Sequence, residues 1–284
     1  MRAGTRRAIG VGALGAAVGL AGIACRGSRP VGALAVQPAS VNLPHAFAAP
    51  ITLRWTPAVA LDGLQGRPRV FVHVLDGGRK LLRTFDHPLP EPWAPGRAQS
   101  YDVELYQSAI AEPLPAGAYE MTFGLYDDAG RNRWPLAVQG EEVGRREYRL
   151  ATLVVPPAAP PSPSFQFAGG WLPVEPGSSK QVVARRCLRG EGSISVGGPP
   201  GQGTVRVAAS LPGSPSPSGP GAAWRVSASS TGEVVEVSTT ALAWAGFPVS
   251  GQPAAPPSEI RFTPSPGSSQ VLCLEVLAWR PTAR

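Results

Sequence analysis

The 284-residue chain carries 34 glycines and 33 prolines, spread along most of its length. Inside a helix a proline costs about 3 kcal/mol and a glycine about 1 kcal/mol relative to alanine, so a chain punctuated this densely is built from strands and turns. The density lies near the level of about 25–30% at which unperiodic chains read as disordered. Hydrophobic residues nevertheless make up 43% of the chain, enough to form cores. The expected fold class is all-β: two tandem antiparallel β-sandwiches after an N-terminal signal or anchor segment.

Residues 33–155 alternate as an antiparallel sandwich does, with turn signals every 8–12 residues. Ile51, Leu53 and Trp55 fall on one face of a strand, Tyr119, Met121, Phe123 and Leu125 on one face of another, and residues 98–112 read as a strand that stops before Pro113. Gly77-Gly78 reads as a tight hairpin turn between strands at 69–76 and 79–86. Pro156 to Pro163 is a semi-rigid spacer. Residues 164–284 then hold short strand runs at 181–188, 191–196, 203–210, 223–229, 233–239, 259–263 and 270–279, expected to form a jelly-roll-like second sandwich. Pro212 to Pro220 reads as a low-complexity loop.

The opening residues have the layout of an export signal: Arg2, Arg6 and Arg7, then an apolar run from Ala8 to Ala24. That run is shorter than the about 20 residues of a membrane span. Leu20-Ala21-Gly22-Ile23-Ala24-Cys25 resembles the bacterial lipoprotein signal, in which small residues precede a cysteine that receives a diacylglycerol thioether. Gly22 stands where that signal usually has leucine. The resemblance implies a signal over residues 1–25 with Cys25 as the lipid anchor, a tether over 26–32, and an exported protein at the inner membrane, outer membrane or cell surface. An ordinary cleaved signal and a retained membrane anchor are the alternatives. Arg6-Arg7 also resembles the twin-arginine export signal, so the export route stays open.

Three cysteines are an odd number for an exported chain. Lipidation of Cys25 leaves Cys187 and Cys273, which in an oxidising compartment are expected to form a disulfide. A loop of about 85 residues closed this way corresponds to roughly 4 kcal/mol in the chain-entropy model. Two separate buried thiols are the alternative.

Leu114-Pro115-Ala116-Gly117-Ala118-Tyr119 resembles the tyrosine corner of immunoglobulin-like sandwiches, which implies a structural role for Tyr119. Together with Phe71 to Asp76, Asp86-His87-Pro88, Trp93 to Gly96 and Gly124 to Asp127, it is similar to a sandwich module of bacterial envelope proteins. That similarity implies a fold and no activity.

His73, Asp76, Asp86 and His87 are the obvious acid-base or metal-ligating residues. With the turn at Gly77-Gly78, His73 faces Leu82, and about 16 Å of strand separates it from His87 at about 3.3 Å per residue. Zinc needs imidazole at about 2 Å, so no metal site or cofactor is expected. His73 then reads as a strand-face residue and Asp86 as a turn residue bonding local amides. Trp171, Trp224, Trp244 and Trp279 are the aromatic type that stacks on sugars, but tryptophan is mostly buried. Net charge is +7, falling to about +4 without the three arginines before Cys25, and the arginines are dispersed. No nucleic-acid partner is expected.

The expected function is therefore non-enzymatic. The chain reads as a lipid-anchored envelope protein acting as a binding or accessory subunit of a membrane-associated complex, with carbohydrate binding through exposed aromatics as the alternative. A metal-dependent enzyme would need His73, Asp86 and His87 to converge.

Overall fold

The computed structural model describes residues 28–64, 66–129, 132–158, 160–198, 201–212, 224–229, 234–237, 242–250, 258–266, 268 and 270–282. Cys25 and most of the Pro212 to Pro220 loop lie outside the described residues. Among those described there is no α-helix, only a 3-10 turn at Leu61–Gly63.

The first sandwich holds β1 (Gly32–Gln37), β2 (Ser40–Asn42), β3 (Ala48–Pro57), β4 (Pro68–Leu75), β5 (Leu81–Thr84), β6 (His87–Pro88), β7 (Gln99–Tyr106), β8 (Gly117–Asp127), β9 (Arg133–Trp134), β10 (Leu136–Val138), β11 (Glu141–Gly144) and β12 (Glu147–Val155). One sheet runs β10-β1-β3-β7, the other β11-β12-β8-β4-β5. Pairing is antiparallel except at two short edges, where β1 lies parallel to β10 and β2 parallel to β12. The exceptions arise because β1 and β2 are one run that changes sheets: Pro38, lacking an N–H, ends the first pairing.

Alternation builds the core between these sheets. Ile51, Leu53 and Trp55 of β3 point inward against Val70, Val72 and Val74 of β4 and Met121, Phe123 and Leu125 of β8, and all nine are fully buried. Each such side chain contributes on the order of 1.5–3 kcal/mol through burial.

The β4–β5 hairpin departs from expectation. His73 pairs with Thr84 and Val74 with Arg83, two residues beyond the register that a Gly77-Gly78 turn would set. The loop is longer because Asp76 organises it. Its carboxylate accepts from the N–H groups of Gly78 and Lys80 at 2.9 and 2.8 Å, while Arg79 takes a positive φ of 63°. His87-Pro88 is correspondingly not a turn; it continues along β4, opposite Val70 and Arg69.

The second sandwich comprises β13 (Ser164–Pro176), β14 (Ala184–Gly197), β15 (Gln202–Ser210), β16 (Trp224–Ala228), β17 (Val234–Val237), β18 (Ala243–Ser250), β19 (Ser258–Pro264) and β20 (Leu272–Pro281). They form one continuous eight-stranded sheet, β17-β16-β19-β14-β20-β15-β18, with β13 on the free edge of β14. The two runs expected at 181–188 and 191–196 are the single long β14. Its Gly192–Val196 half pairs with β19 and its Arg186–Leu188 part with β20, so the β13–β14 ribbon serves both layers. Register shifts near Gly169 and Trp171 bend that ribbon. Gly169 sits at φ +94° there, and a Cβ would lie 2.6 Å from the Glu191 carbonyl oxygen.

β20 is buried at every residue from Leu272 to Trp279 except Glu275. One edge pairs with β15 along its length, but β14 covers the other only at Leu272–Leu274. The first sandwich closes the rest. Ala109 N–H donates to the Leu277 carbonyl at 2.7 Å, Leu277 N–H to Ser108 Oγ at 3.0 Å, and Trp279 N–H to the Ala46 carbonyl at 2.7 Å.

Two substitutions probe this arrangement. Gly124→Ala would drive a Cβ into the buried Phe71 ring and to 2.8 Å from the Arg146 carbonyl oxygen. We expect a loss of about 1–3 kcal/mol in urea unfolding from overpacking. Ser108→Ala leaves the buried Leu277 N–H without its acceptor, with an expected loss of about 1–3 kcal/mol in the same measurement.

Candidate functional site

The outer face of the β5-β4-β8-β12 sheet carries a polar network centred on His73. Because Val72 and Val74 face the core, Phe71 and His73 face outward, and their rings stack at 4.6 Å. His73 Nε2 lies 3.6 Å from Asp86 Oδ1, and Nδ1 lies 3.8 Å from Glu147 Oε1. Each carboxylate is held from a further strand. Asp86 accepts from Tyr126 Oη at 3.1 Å and, weakly, from Val72 N–H at 3.4 Å. Glu147 accepts from Thr122 Oγ1 at 2.6 Å and lies 3.4 Å from Arg133 Nη1, whose guanidinium also covers the Phe71 ring.

The expected grouping of His73, Asp76, Asp86 and His87 is therefore divided. Asp86 joins His73 across the hairpin instead of capping its own turn, because the longer loop moves it alongside β4. Asp76 belongs to the hairpin loop. His87 points to the other side, where Nδ1 donates to the Phe85 carbonyl at 2.9 Å and Nε2 is left to accept from Tyr101 Oη at 2.8 Å. Glu147 is the member that the sequence does not announce, since it sits 74 positions from His73 and meets it only through the β8 strand between them. Among the described residues, no group of three metal-ligating side chains forms.

Burial opposes a charge on His73, but Asp86 and then Glu147 outweigh it and raise its pKa above the usual 6.5. Glu147 is held down at about 2, chiefly by His73, with Thr122 and Arg133 assisting against burial. Burial pushes His87 down, so it remains the neutral acceptor for Tyr101.

The other expected structural residues are placed as follows. Cys187 and Cys273 are cross-strand neighbours on β14 and β20 and are disulfide-bonded, with Cα atoms 4.0 Å apart. Tyr119 Oη donates to the Pro115 carbonyl at 2.6 Å, tying the start of β8 to the loop before it. Trp224 and Trp279 are core residues, and Trp171 is partly buried against Phe262. Trp244 is different. It lies half-buried at the seam between the sandwiches, with its ring 5.4 Å from that of Tyr106.

A groove of about 350 Å³ opens at this seam. From the first sandwich come Tyr101, Asp102 and Glu104 of β7, and from the second Gln181, Arg206 of β15 and Trp244 of β18. Arg206 Nε donates to Glu104 Oε2 at 2.8 Å, an ion pair that bridges the two sandwiches, and its guanidinium stands 5.6 Å over the Trp244 ring. Tyr106 Oη donates to the Gln181 carbonyl at 3.0 Å, a second tie across the seam. β18 is absent from the strand runs read in the sequence, because Gly246 and Pro248 interrupt its apolar pattern. Among the described residues it is an edge strand paired with β15, where a proline is tolerated.

A scan against protein-family models finds no match for this chain, and a search of curated proteins finds none. Solved structures similar to it include the CBM22-1-CBM22-2 tandem domain of Xyn10C from Paenibacillus barcinonensis, at 7% identity and a TM-score of 0.31, with 82% of this chain and 87% of that one covered. A β-glucuronidase from Bacteroides uniformis matches at 10% identity and a TM-score of 0.26, covering 86% of this chain and 29% of that one. Likeness at this level says nothing about what the chain binds, and the all-β fold rests on the strands and registers themselves.

The His73 network makes stability depend on pH in two windows. His73 has a raised folded pKa, so its contribution is complete below 6.5 and is lost as pH rises through the raised value. Glu147 has a depressed one, so its contribution is complete above 4.5 and is lost as pH falls toward 2. Chemical denaturation across pH should show both limbs. His73→Asn is expected to flatten the neutral-to-alkaline limb, and Glu147→Gln to flatten the acid one.

Proposed function

We propose that the chain is a lipid-anchored, non-enzymatic binding protein of a bacterial envelope, tethered through Cys25 and presenting two fused sandwiches as one platform to a partner in a membrane-associated complex. The observation that carries the binding part of this reading is the closed seam. Hydrogen bonds to the β20 edge, the Arg206–Glu104 pair and the Tyr106–Gln181 bond fix the two sandwiches in one relation, as a preorganised binding surface requires. The anchoring part is supported by the Arg-led apolar run ending at Cys25, and by the bonding of Cys187 to Cys273, which leaves Cys25 as the unpaired cysteine of the three.

His73 fits this reading as a structural residue. Its carboxylate neighbours, Asp86 just after β5 and Glu147 at the start of β12, anchor it on both sides, so the network works as a cross-strand brace. A carbohydrate ligand is the second reading, and the half-buried Trp244 and Tyr101, which line the same seam groove, favour it.

Expression of the full chain in a bacterial host with labelled palmitate tests the anchor. The wild-type protein is expected to take up label and to stay with membranes through alkaline carbonate washing, and Cys25→Ser to lose both. Persistence of Cys25→Ser in washed membranes would refute lipid anchoring at this residue.

A further inference from the structure

We propose that the seam groove is a binding site for an uncharged saccharide, with Trp244 and Tyr101 as its ring platforms; this deepens the carbohydrate reading above and rests on it. The groove's volume of about 350 Å³ falls within the about 300–1,000 Å³ usual for small-molecule sites. A pyranose has apolar C–H faces and a rim of hydroxyls that both donate and accept. It needs an aromatic face with polar groups of both kinds around it.

The seam supplies that combination. Trp244 and Tyr101 are half-buried on opposite sandwiches, so neither belongs wholly to a core. Arg206 spends Nε on Glu104, and its terminal nitrogens have no carboxylate or carbonyl acceptor among the described residues. The Gln181 side-chain amide and the Trp244 indole N–H are likewise without partners among them. Asp102 Oδ1 accepts from Thr52 Oγ1 at 2.7 Å, which orients the carboxylate and leaves Oδ2 to accept from a ligand hydroxyl. Donors and acceptors thus line the same groove as the two rings.

Charge narrows the ligand class. Asp86, Asp102 and Glu104 line the groove; the Asp86 carboxylate is engaged by His73 and Tyr126 and Glu104 is paired with the Arg206 guanidinium, which leaves the Asp102 carboxylate without a cationic partner among the described residues. His87, also in the lining, is pushed toward its neutral form by burial, with Nε2 accepting from Tyr101 Oη. An anionic sugar would therefore meet net negative charge with no free cation to offset it. A neutral one meets acceptors matched to its hydroxyls. Because the rings come from different sandwiches, the site exists only while the seam is closed.

The test uses the full chain purified in lauryldimethylamine oxide, a detergent without a sugar headgroup. Cellotetraose, xylotetraose, maltotetraose and chitotetraose are titrated by calorimetry beside trigalacturonate as the acidic probe. At least one neutral tetraose is expected to bind and trigalacturonate not to. Trp244→Ala is expected to weaken binding at least about tenfold, as removal of a central aromatic anchor does. Asp102→Asn touches no contact across the seam and is expected to weaken it about tenfold, as loss of a charged hydrogen bond does. Failure of all four neutral probes to bind would overturn the ligand class, and equal binding of trigalacturonate would overturn the charge argument. Binding untouched by both substitutions would overturn the location. Titrating Cys25→Ser alongside keeps anchoring and sugar binding apart: loss of membrane retention with tetraose binding intact separates the two.

Discussion

The open edge of β20 is the constraint on which the rest of this molecule depends. β14 begins only at Ala184 and covers β20 no further than Leu274, so a row of backbone groups from Val276 onward would be exposed on that side. Unpaired strand edges are sites of unwanted pairing, and buried ones cost the full desolvation of each group. The Ala46 and Ser108–Ala109 segments of the first sandwich supply the missing partners. Two sandwiches that composition would leave as beads on a proline spacer are thereby joined backbone to backbone.

The groove follows from that junction. Once β20 is seated, Glu104 of β7 meets Arg206 of β15. Trp244, carried on the edge strand next to β15, is then laid against Tyr106. The His73 network lies elsewhere, on the outer face of a four-strand span, and has the opposite character. Its polar groups satisfy one another, with Tyr126, Thr122 and Arg133 completing the carboxylates. Satisfied networks brace a sheet, whereas unsatisfied groups around an aromatic ring are free to receive a ligand.

Much of the architecture was legible in the residues. The inward faces of β3, β4 and β8 follow from strict alternation, and Pro156 to Pro163 falls between Val155 at the end of β12 and Ser164 at the start of β13. Other features were hidden for definite reasons. The β4–β5 register slipped by two because a side chain, Asp76, and not the glycine pair, sets the loop. β18 is hidden in the sequence because glycine and proline mask strand patterns even where an edge strand accepts them. The single sheet of the second sandwich depends on one strand serving two layers, which no local pattern encodes.

Composition and periodicity by themselves determined that this chain is all-β, where its strands carry their apolar faces, and that Cys187 and Cys273 lie in strand-like runs, because propensity, alternation and turn chemistry act over a few residues. Only the tertiary structure decided that Glu147 reaches His73, that His87 turns away toward Tyr101, and that Trp244 stands at a seam instead of in a core. Those outcomes depend on which strand edges meet across gaps of tens to more than a hundred residues, and that is settled by the pairing of whole sheets.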